Sequence, residues 1–298
     1  MKRVYVKRRI QMSDFGGAVK ENDTYNIAIL GVPYDGKSSY LKGPSKGPQA
    51  IRAASTGEAI NAWTELGINL EDAVTIVDLG DVDVAGNFSD ISVRIEERVW
   101  EILAKDGLPI VLGGDHSISL PVVRAMAKKH PLLDILHFDA HPDLYEEFYG
   151  DRYSHACPFA RILDEGLAKN LVQVGIRAST GAHRQKAAAF GVRTITMKDW
   201  QDDLTLAFSN PLYISFDVDV LDPAFAPGVS HLEPGGLSTR QVVNLLHGLE
   251  ADIVGMDVVE VNPARDISGI TAAAAVKIIM EAAAKMTVSI QAKQKEAQ

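Results

Sequence analysis

Six side chains able to ligate a metal stand in three short clusters of this chain. His116 lies in Gly113-Gly114-Asp115-His116-Ser117, and Asp139, His141 and Asp143 share Asp139-Ala140-His141-Pro142-Asp143. Asp217 and Asp219 share Ser215-Phe216-Asp217-Val218-Asp219. Four carboxylates and two imidazoles are more than one catalytic ion with an open position takes. They suit two ions that share carboxylate bridges, as in a binuclear metal hydrolase. Residues at i, i+2 and i+4 of an extended segment point to one side, and this spacing fits Asp139, His141 and Asp143 as well as Asp217 and Asp219. A lone Asp-x-Asp is usually a turn or a cap, and a lone His after Gly-Gly is usually structural. Three clusters in one topological position outweigh those blander readings.

The elements that must position them are short apolar runs alternating with amphipathic stretches. The runs at 26–31, 74–79, 109–112, 133–138, 171–175, 212–216 and 253–258 read as strands, several of them apolar on both faces. Stretches 90–105, 119–129, 182–190, 239–249 and 272–290 read as helices. This alternation implies βαβ units and a mainly parallel sheet covered by helices. Ligands of such sheets collect at the carboxyl ends of the strands. The three clusters follow strands 109–112, 133–138 and 212–216 at that end, and Glu260 follows 253–258. No linker or repeat divides the chain, so 1–298 reads as a single α/β domain. Segment 31–48 reads as an ordered loop, and the Ala-rich stretch near the C-terminus as a packing helix.

Composition narrows the class. Apolar residues make up 46% of the 298, ample for a core. A net charge of −9 argues against a nucleic-acid surface. No apolar run reaches the ~18 residues of a membrane span. The basic start (Lys2, Arg3, Lys7, Arg8, Arg9) has no apolar stretch behind it and does not read as a signal peptide. A single cysteine, Cys157, leaves no disulfide framework, and the expectation is a soluble cytoplasmic protein. Cys157 stands near His155 but precedes a proline, and no triad surrounds it.

The donor set is carboxylate and imidazole without thiolate, which favours Mn²⁺ over structural Zn²⁺; ligand type alone leaves Co²⁺, Ni²⁺ and Fe²⁺ open. In two-metal sites the ions sit ~3.5–4 Å apart and acidify a bridging water. The resulting hydroxide attacks carbon or phosphorus, and the clusters alone do not say which.

Gly-Gly-Asp-His-Ser, Asp-Ala-His-Pro-Asp and Ser-Phe-Asp-Val-Asp-Val-Leu-Asp-Pro, in this order, resemble the ureohydrolase superfamily of arginases, agmatinases, guanidinobutyrases and formiminoglutamases. The resemblance runs from about Gly31 to about Ala284. Segments 38–44, 153–156 and 222–230 look most like the plant-type arginase and agmatinase branch. The resemblance implies that His116, Asp139, Asp143 and Asp217 hold one Mn²⁺. Asp139, His141, Asp217 and Asp219 would hold the second, with Asp139 and Asp217 bridging. It makes Glu260 the partner of a substrate guanidinium and His155 the proton shuttle, with Asp143 beside them among the catalytic groups. It also implies a three-layer α/β/α fold assembled as a homotrimer or homohexamer.

Those roles suit the chemistry. A guanidinium carbon is a poor electrophile, so a carboxylate must orient the planar cation by paired charge-assisted hydrogen bonds. Expelling an amine requires a proton donor, for which histidine is suited. Plainer roles are a Glu260–Arg265 salt bridge and a helix cap at His155. Asp115 could orient a nearby histidine or serve its turn; Asp222 shapes a loop. His231 and Glu233 read as surface positions within reach of substrate. His137 reads as a core histidine, and Asp81 and Asp83 as loop residues.

The substrate is harder to read. Animal arginases carry an acidic residue after a Gly-Leu-Arg segment; Gly175-Ile176-Arg177-Ala178-Ser179-Thr180 lacks it. The asparagine expected after the Asp-Ala-His-x-Asp motif is replaced by Leu144 and Tyr145. The expectation is therefore agmatine or a related guanidino compound, with L-arginine the close alternative and guanidinobutyrate another. A single-zinc deacetylase of the related fold is disfavoured by the complete second ligand set. A two-metal phosphoesterase would need more cations than Lys37, Lys42 and Arg177, and a non-catalytic oligomer would have no use for a buried carboxylate cluster.

Overall fold

A computed structural model describes residues 15, 16, 18, 24–56 and 61–296. The basic start at Lys2–Arg9 lies outside the described residues. Among those residues one eight-stranded sheet forms, with every pairing parallel and the order β2-β1-β3-β8-β7-β4-β5-β6. Its strands are β1 (Ile27–Gly31), β2 (Ile76–Asp81), β3 (Leu108–Leu112), β4 (Asp134–Phe138), β5 (Asn170–Ile176), β6 (Arg193–Thr196), β7 (Leu212–Asp217) and β8 (Ile253–Val259).

Alternation within each strand feeds two separate cores. Ile27 and Ile29 join the core beneath α1 (Gly47–Ala54), α2 (Leu70–Ala73), α7 (Thr239–Gly248) and α8 (Ile270–Glu296). Ala28 and Leu30 face the opposite layer, built from α3 (Phe88–Leu103), α4 (Ser119–Lys129) and α5 (Pro158–Asp164). The result is the expected three-layer α/β/α architecture. The remaining helix, α6 (Gly181–Ala189), follows β5. Side-chain caps start several helices: Asn87 on α3, and capping boxes Ser238/Gln241 on α7 and Thr180/His183 on α6. No helix among the described residues is long and apolar enough to cross a membrane.

The sheet register prepares the site. Leu112, Val258, Phe216 and Phe138 lie side by side across β3, β8, β7 and β4. The residues just beyond that row bring Asp217 and Asp139 together, with His116 and Glu260 following the two other strands. Four adjacent central strands thus deliver every expected site residue except His155.

The segment after residue 31 is ordered as expected, holding a short 3-10 turn at Pro44–Lys46 before α1. Asp81 of the extra Asp-x-Asp pair, expected in a loop, is instead the last residue of β2, paired with Gly31, and accepts a hydrogen bond from Arg52 Nη1 at 2.5 Å; Asp83 lies in the loop beyond. Strand β6 is missing from the sequence reading because Arg193-Thr194-Ile195-Thr196 is short, polar and at the sheet edge.

Candidate metal centre and active site

The carboxylates converge by a different device from the expected strand alternation. Strand β4 ends at Phe138 and β7 at Asp217, so neither cluster continues as a strand. Each leading acid caps its own turn: Asp139 Oδ1 accepts the His141 amide at 2.6 Å, and Asp217 Oδ1 the Asp219 amide at 2.8 Å. These turns swing the second and third ligands back over the strand ends. Backbone strain marks the same place, since Asp143 and Glu260 hold φ of 51° and 65°, in the left-handed region that non-glycine residues avoid. A Cβ on Gly114 would fall 1.7 Å from the Tyr34 carbonyl oxygen, so the turn before His116 requires glycine.

His116 Nδ1 faces carboxylate oxygens of Asp139 at 3.2 Å, Asp143 at 3.1 Å and Asp217 at 3.2 Å. It makes a proper hydrogen bond to none of them although fully buried. Its outer nitrogen explains this. Ser215 gives its hydroxyl proton to Asp257 Oδ1 at 2.8 Å, so its lone pair meets His116 Nε2 at 3.0 Å. A proton therefore sits on Nε2, and Nδ1 is the nitrogen that meets three carboxylates, where a cation or a second proton would be held. His141 repeats the pattern, its Nδ1 lying 3.3 Å from Asp139 Oδ1 and 3.1 Å from Asp219 Oδ2. Asp139 touches both imidazoles with different oxygens, as a bridging ligand does.

Such a cluster calls for positive charge. Burial, then repulsion from Asp219 and Asp139, pushes the Asp217 carboxyl well above its usual range. Burial lifts Asp219 to about 6, with Asp139 adding to it. For His116 burial lowers the imidazole's proton affinity, but Asp139, Asp143 and Asp217 outweigh that and raise it. An imidazole nitrogen aimed among carboxylates, and acids pushed toward protonation by one another, fit the donor set of a divalent-cation site. His116 and Asp139, with His137, form one compact group of candidate ligands; Asp139, His141 and Asp219 form another.

Glu260 and His155 pair beside this cluster. His155 Nδ1 lies 2.8 Å from Glu260 Oε1, which also accepts the His116 amide at 3.0 Å. Glu260 Oε2 is buried and has no partner among the described residues. Neither plainer role applies: Glu260 pairs with His155 in place of Arg265, and the N-cap of α5 is Cys157, with no side-chain cap bond. Burial lowers the His155 imidazole, but the Glu260 charge, with Asp115 and Asp143 behind it, raises it to about 9. Its Nε2 meets both Ser39 N–H at 3.2 Å and Ser39 Oγ at 2.8 Å. Neutral His155 accepts the amide and protonated His155 donates to the hydroxyl, so both states of a proton carrier are satisfied.

A pKa raised on folding means that the ion pair stabilises fully below about pH 6.5 and that this stability is lost as pH rises through about 9. In cation-free protein the melting-temperature gap between wild type and His155→Gln should therefore narrow between about pH 7 and about pH 10. A gap that stays constant across that range would show the pair to be uncharged.

Several partners escaped the sequence reading. Asp139 Oδ2 receives His137 Nε2 at 2.8 Å, and Gln173 Nε2 meets His137 Nδ1 at 3.0 Å. His137 is buried as expected, yet it orients a candidate ligand. A glutamine inside apolar strand β5, and Ser215 two residues before Asp217, were the available signals. Asp115 serves its turn through Ser117 and also binds the Lys37 amide at 2.8 Å, fastening the Ser39 loop to the site. His231 is less exposed than expected: its ring lies 5.3 Å from that of His155 and 5.9 Å from that of His141. Glu260, His155, His141 and His231 line a cavity of about 280 Å³ together with Ser39 and Tyr145.

Known proteins resemble this chain in sequence and fold. The family described as the arginase family matches residues 25–284. Arginase 1, mitochondrial, of Arabidopsis thaliana is 47% identical over 279 residues, covering 88% of this chain and 81% of its own. The solved arginase of Medicago truncatula superposes with a TM-score of 0.83 at 46% identity, covering 88% of this chain and 87% of that one. Proclavaminate amidino hydrolase of Streptomyces clavuligerus gives 0.85 at 32% identity, covering 94% and 98%. The cytoplasmic expectation is overturned here, because the plant relatives are named as mitochondrial or chloroplastic enzymes. Composition carried no information on that point: charge and hydropathy describe a water-soluble fold in any aqueous compartment.

Proposed function

This chain belongs to the arginase family, a group of C–N hydrolases acting on linear amidines, and we propose that it hydrolyses L-arginine to L-ornithine and urea with two Mn²⁺ ions per subunit. The observation that carries the reading is 47% identity over 88% of the chain to an enzyme named arginase, with the six candidate ligands meeting beyond the carboxyl ends of β3, β4 and β7. It reverses the preference for agmatine. The missing acid after Arg177 and the missing asparagine after Asp143 describe the animal-type site, and a plant-type arginase is similar to this chain without them.

In this reading His116, Asp139, Asp143 and Asp217 hold one cation, and Asp139, His141, Asp217 and Asp219 the other. Bound divalent cations supply Lewis acidity that makes water nucleophilic at neutral pH. Glu260 Oε2, buried and unpartnered, orients the guanidinium through charge-assisted hydrogen bonds. His155, held protonated by Glu260, gives a proton to the departing amine. Ser39, Tyr145, Ser179 and Thr180 line the cavity with hydroxyls able to donate to an α-carboxylate, which agmatine lacks. A single domain assembled as a homotrimer or homohexamer completes the reading.

Urea release by Mn²⁺-loaded protein across L-arginine, agmatine, 4-guanidinobutyrate and guanidine tests it. Arginine should lead in kcat/KM by about tenfold or more, because a site that binds a carboxylate penalises substrates without one. Agmatine in first place would overturn the arginine assignment and leave the family standing.

A further inference from the structure

Arg177 spends its whole guanidinium on main-chain carbonyls. Nε donates to Glu233 at 2.9 Å, Nη1 to Gly175 and Val220 at 3.1 Å each, and Nη2 to Asp219 at 2.6 Å and Leu221 at 3.3 Å. Arginine has five N–H donors, and here each has its own acceptor. Gly236 makes room for it, since a Cβ there would lie 2.6 Å from Nη2. The side chain therefore staples the turn carrying Asp219 to the loop carrying Glu233.

Both ends of that staple bear on His141. Its Nδ1 faces Asp219 and Asp139, while its Nε2 lies 3.6 Å from Glu233 Oε1. That distance is ion-pair reach and slightly long for a hydrogen bond. The Glu233 side chain is 39% exposed and has freedom to close it. His141 itself is 26% exposed, against 1% for His116, so packing fixes its ring far less. His116 has Ser215 behind its outer nitrogen; Glu233 is the group placed to do the same for His141.

We infer that Glu233 is a positioning residue for the cation site containing His141, and that Arg177 sets its place relative to Asp219. The inference rests on the two-cation reading of the site. A carboxylate behind a ligating imidazole fixes the ring and raises its donor strength, and its loss costs about 10–100-fold in metal affinity.

The test is Mn²⁺ binding to the full chain, by equilibrium dialysis with elemental analysis, for wild type, Glu233→Gln and Arg177→Lys. Wild type should take up two equivalents. Glu233→Gln should keep one at wild-type affinity and weaken the other about 10–100-fold, with an unchanged melting temperature in cation-free protein. Arg177→Lys should weaken the same equivalent, because an ammonium with three donors cannot hold five carbonyls. Two equivalents of wild-type affinity in Glu233→Gln, with KM for arginine raised, would move Glu233 to the substrate and overturn the inference alone. Fewer than two equivalents in wild type would sink the two-cation reading, and this inference with it.

Discussion

Asp139→Asn is expected to abolish tight uptake of both cations and to cut turnover by at least about 10³-fold, the several kcal/mol of charge stabilisation that bound metal supplies. The size follows from geometry. Asp139 is the one carboxylate with an oxygen on each imidazole, Oδ2 at 3.2 Å from His116 and Oδ1 at 3.3 Å from His141. An amide there halves the anionic oxygens and turns an N–H₂ toward one of the two positions. Folding should survive with reduced stability: asparagine keeps the shape and an oxygen for the His141 amide, but burial is no longer offset by the charge that His116, His137 and His141 hold in its ionised form. Elemental analysis after dialysis reads the cations, and near-UV circular dichroism reads the fold. A variant that keeps two equivalents and wild-type urea release would remove Asp139 from the centre of the site. Asp219→Ala offers a contrast: of the two imidazoles Asp219 meets His141 and not His116, so its loss should release only one equivalent.

The parts of the site that could be read in the chain are those fixed by side-chain type and strand ends. Apolar runs mark the seven central and flanking strands, and acids or imidazoles directly after four of them mark the catalytic rim. The way those acids meet was not legible. Alternation along an extended strand is a local rule, and the strands stop at Phe138 and Asp217, where capped turns take over. Contacts set by packing were equally hidden: Ser39 reaches His155 across 116 positions, and Gln173 reaches His137 across 36. Nothing in the local pattern around Ser39 or Gln173 records a partner that distant. Helix α5 was expected only as a helix that His155 could cap, without bounds, for a related reason. Its seven residues are too few to show a period, yet Phe159 stacks on His137 with ring centroids 3.7 Å apart.

The preference for agmatine rests on taking a missing residue for a missing function, whereas the relatives named arginase favour the arginine alternative. The acid after Arg177 is one solution to holding an α-amino group. In this fold Arg177 is committed to five carbonyls, and the cavity wall beyond it carries Ser179, Thr180 and His183. Hydroxyl and imidazole groups can recognise the same amino-acid end without a carboxylate at that position.

Glu260→Gln should retain both cations yet lower kcat/KM by about 10²–10³-fold, the loss of one or two hydrogen bonds made to a charged group. Its two oxygens serve different partners. Oε1 holds His155 Nδ1 and the His116 amide, and Oε2 is the buried acceptor left for a guanidinium. Glutamine keeps the shape and can still accept at one atom, but it carries no charge, and an N–H₂ in the Oε2 place would present donors to the cation. The pH profile separates this from a structural effect. Glu260 is the largest charge holding the His155 imidazole up to about 9 against burial, which lowers it. Without that charge His155 titrates lower, so the alkaline fall of kcat should move toward neutral pH in the variant. A second variant, Glu260→Asp, keeps the charge on a shorter arm; it should restore the position of the alkaline limb more fully than the rate. Glu260→Gln with wild-type kcat/KM for arginine would leave the guanidinium without its partner and return Oε2 to a structural role. A reduced rate with an unmoved alkaline limb would instead detach His155 from the proton transfer.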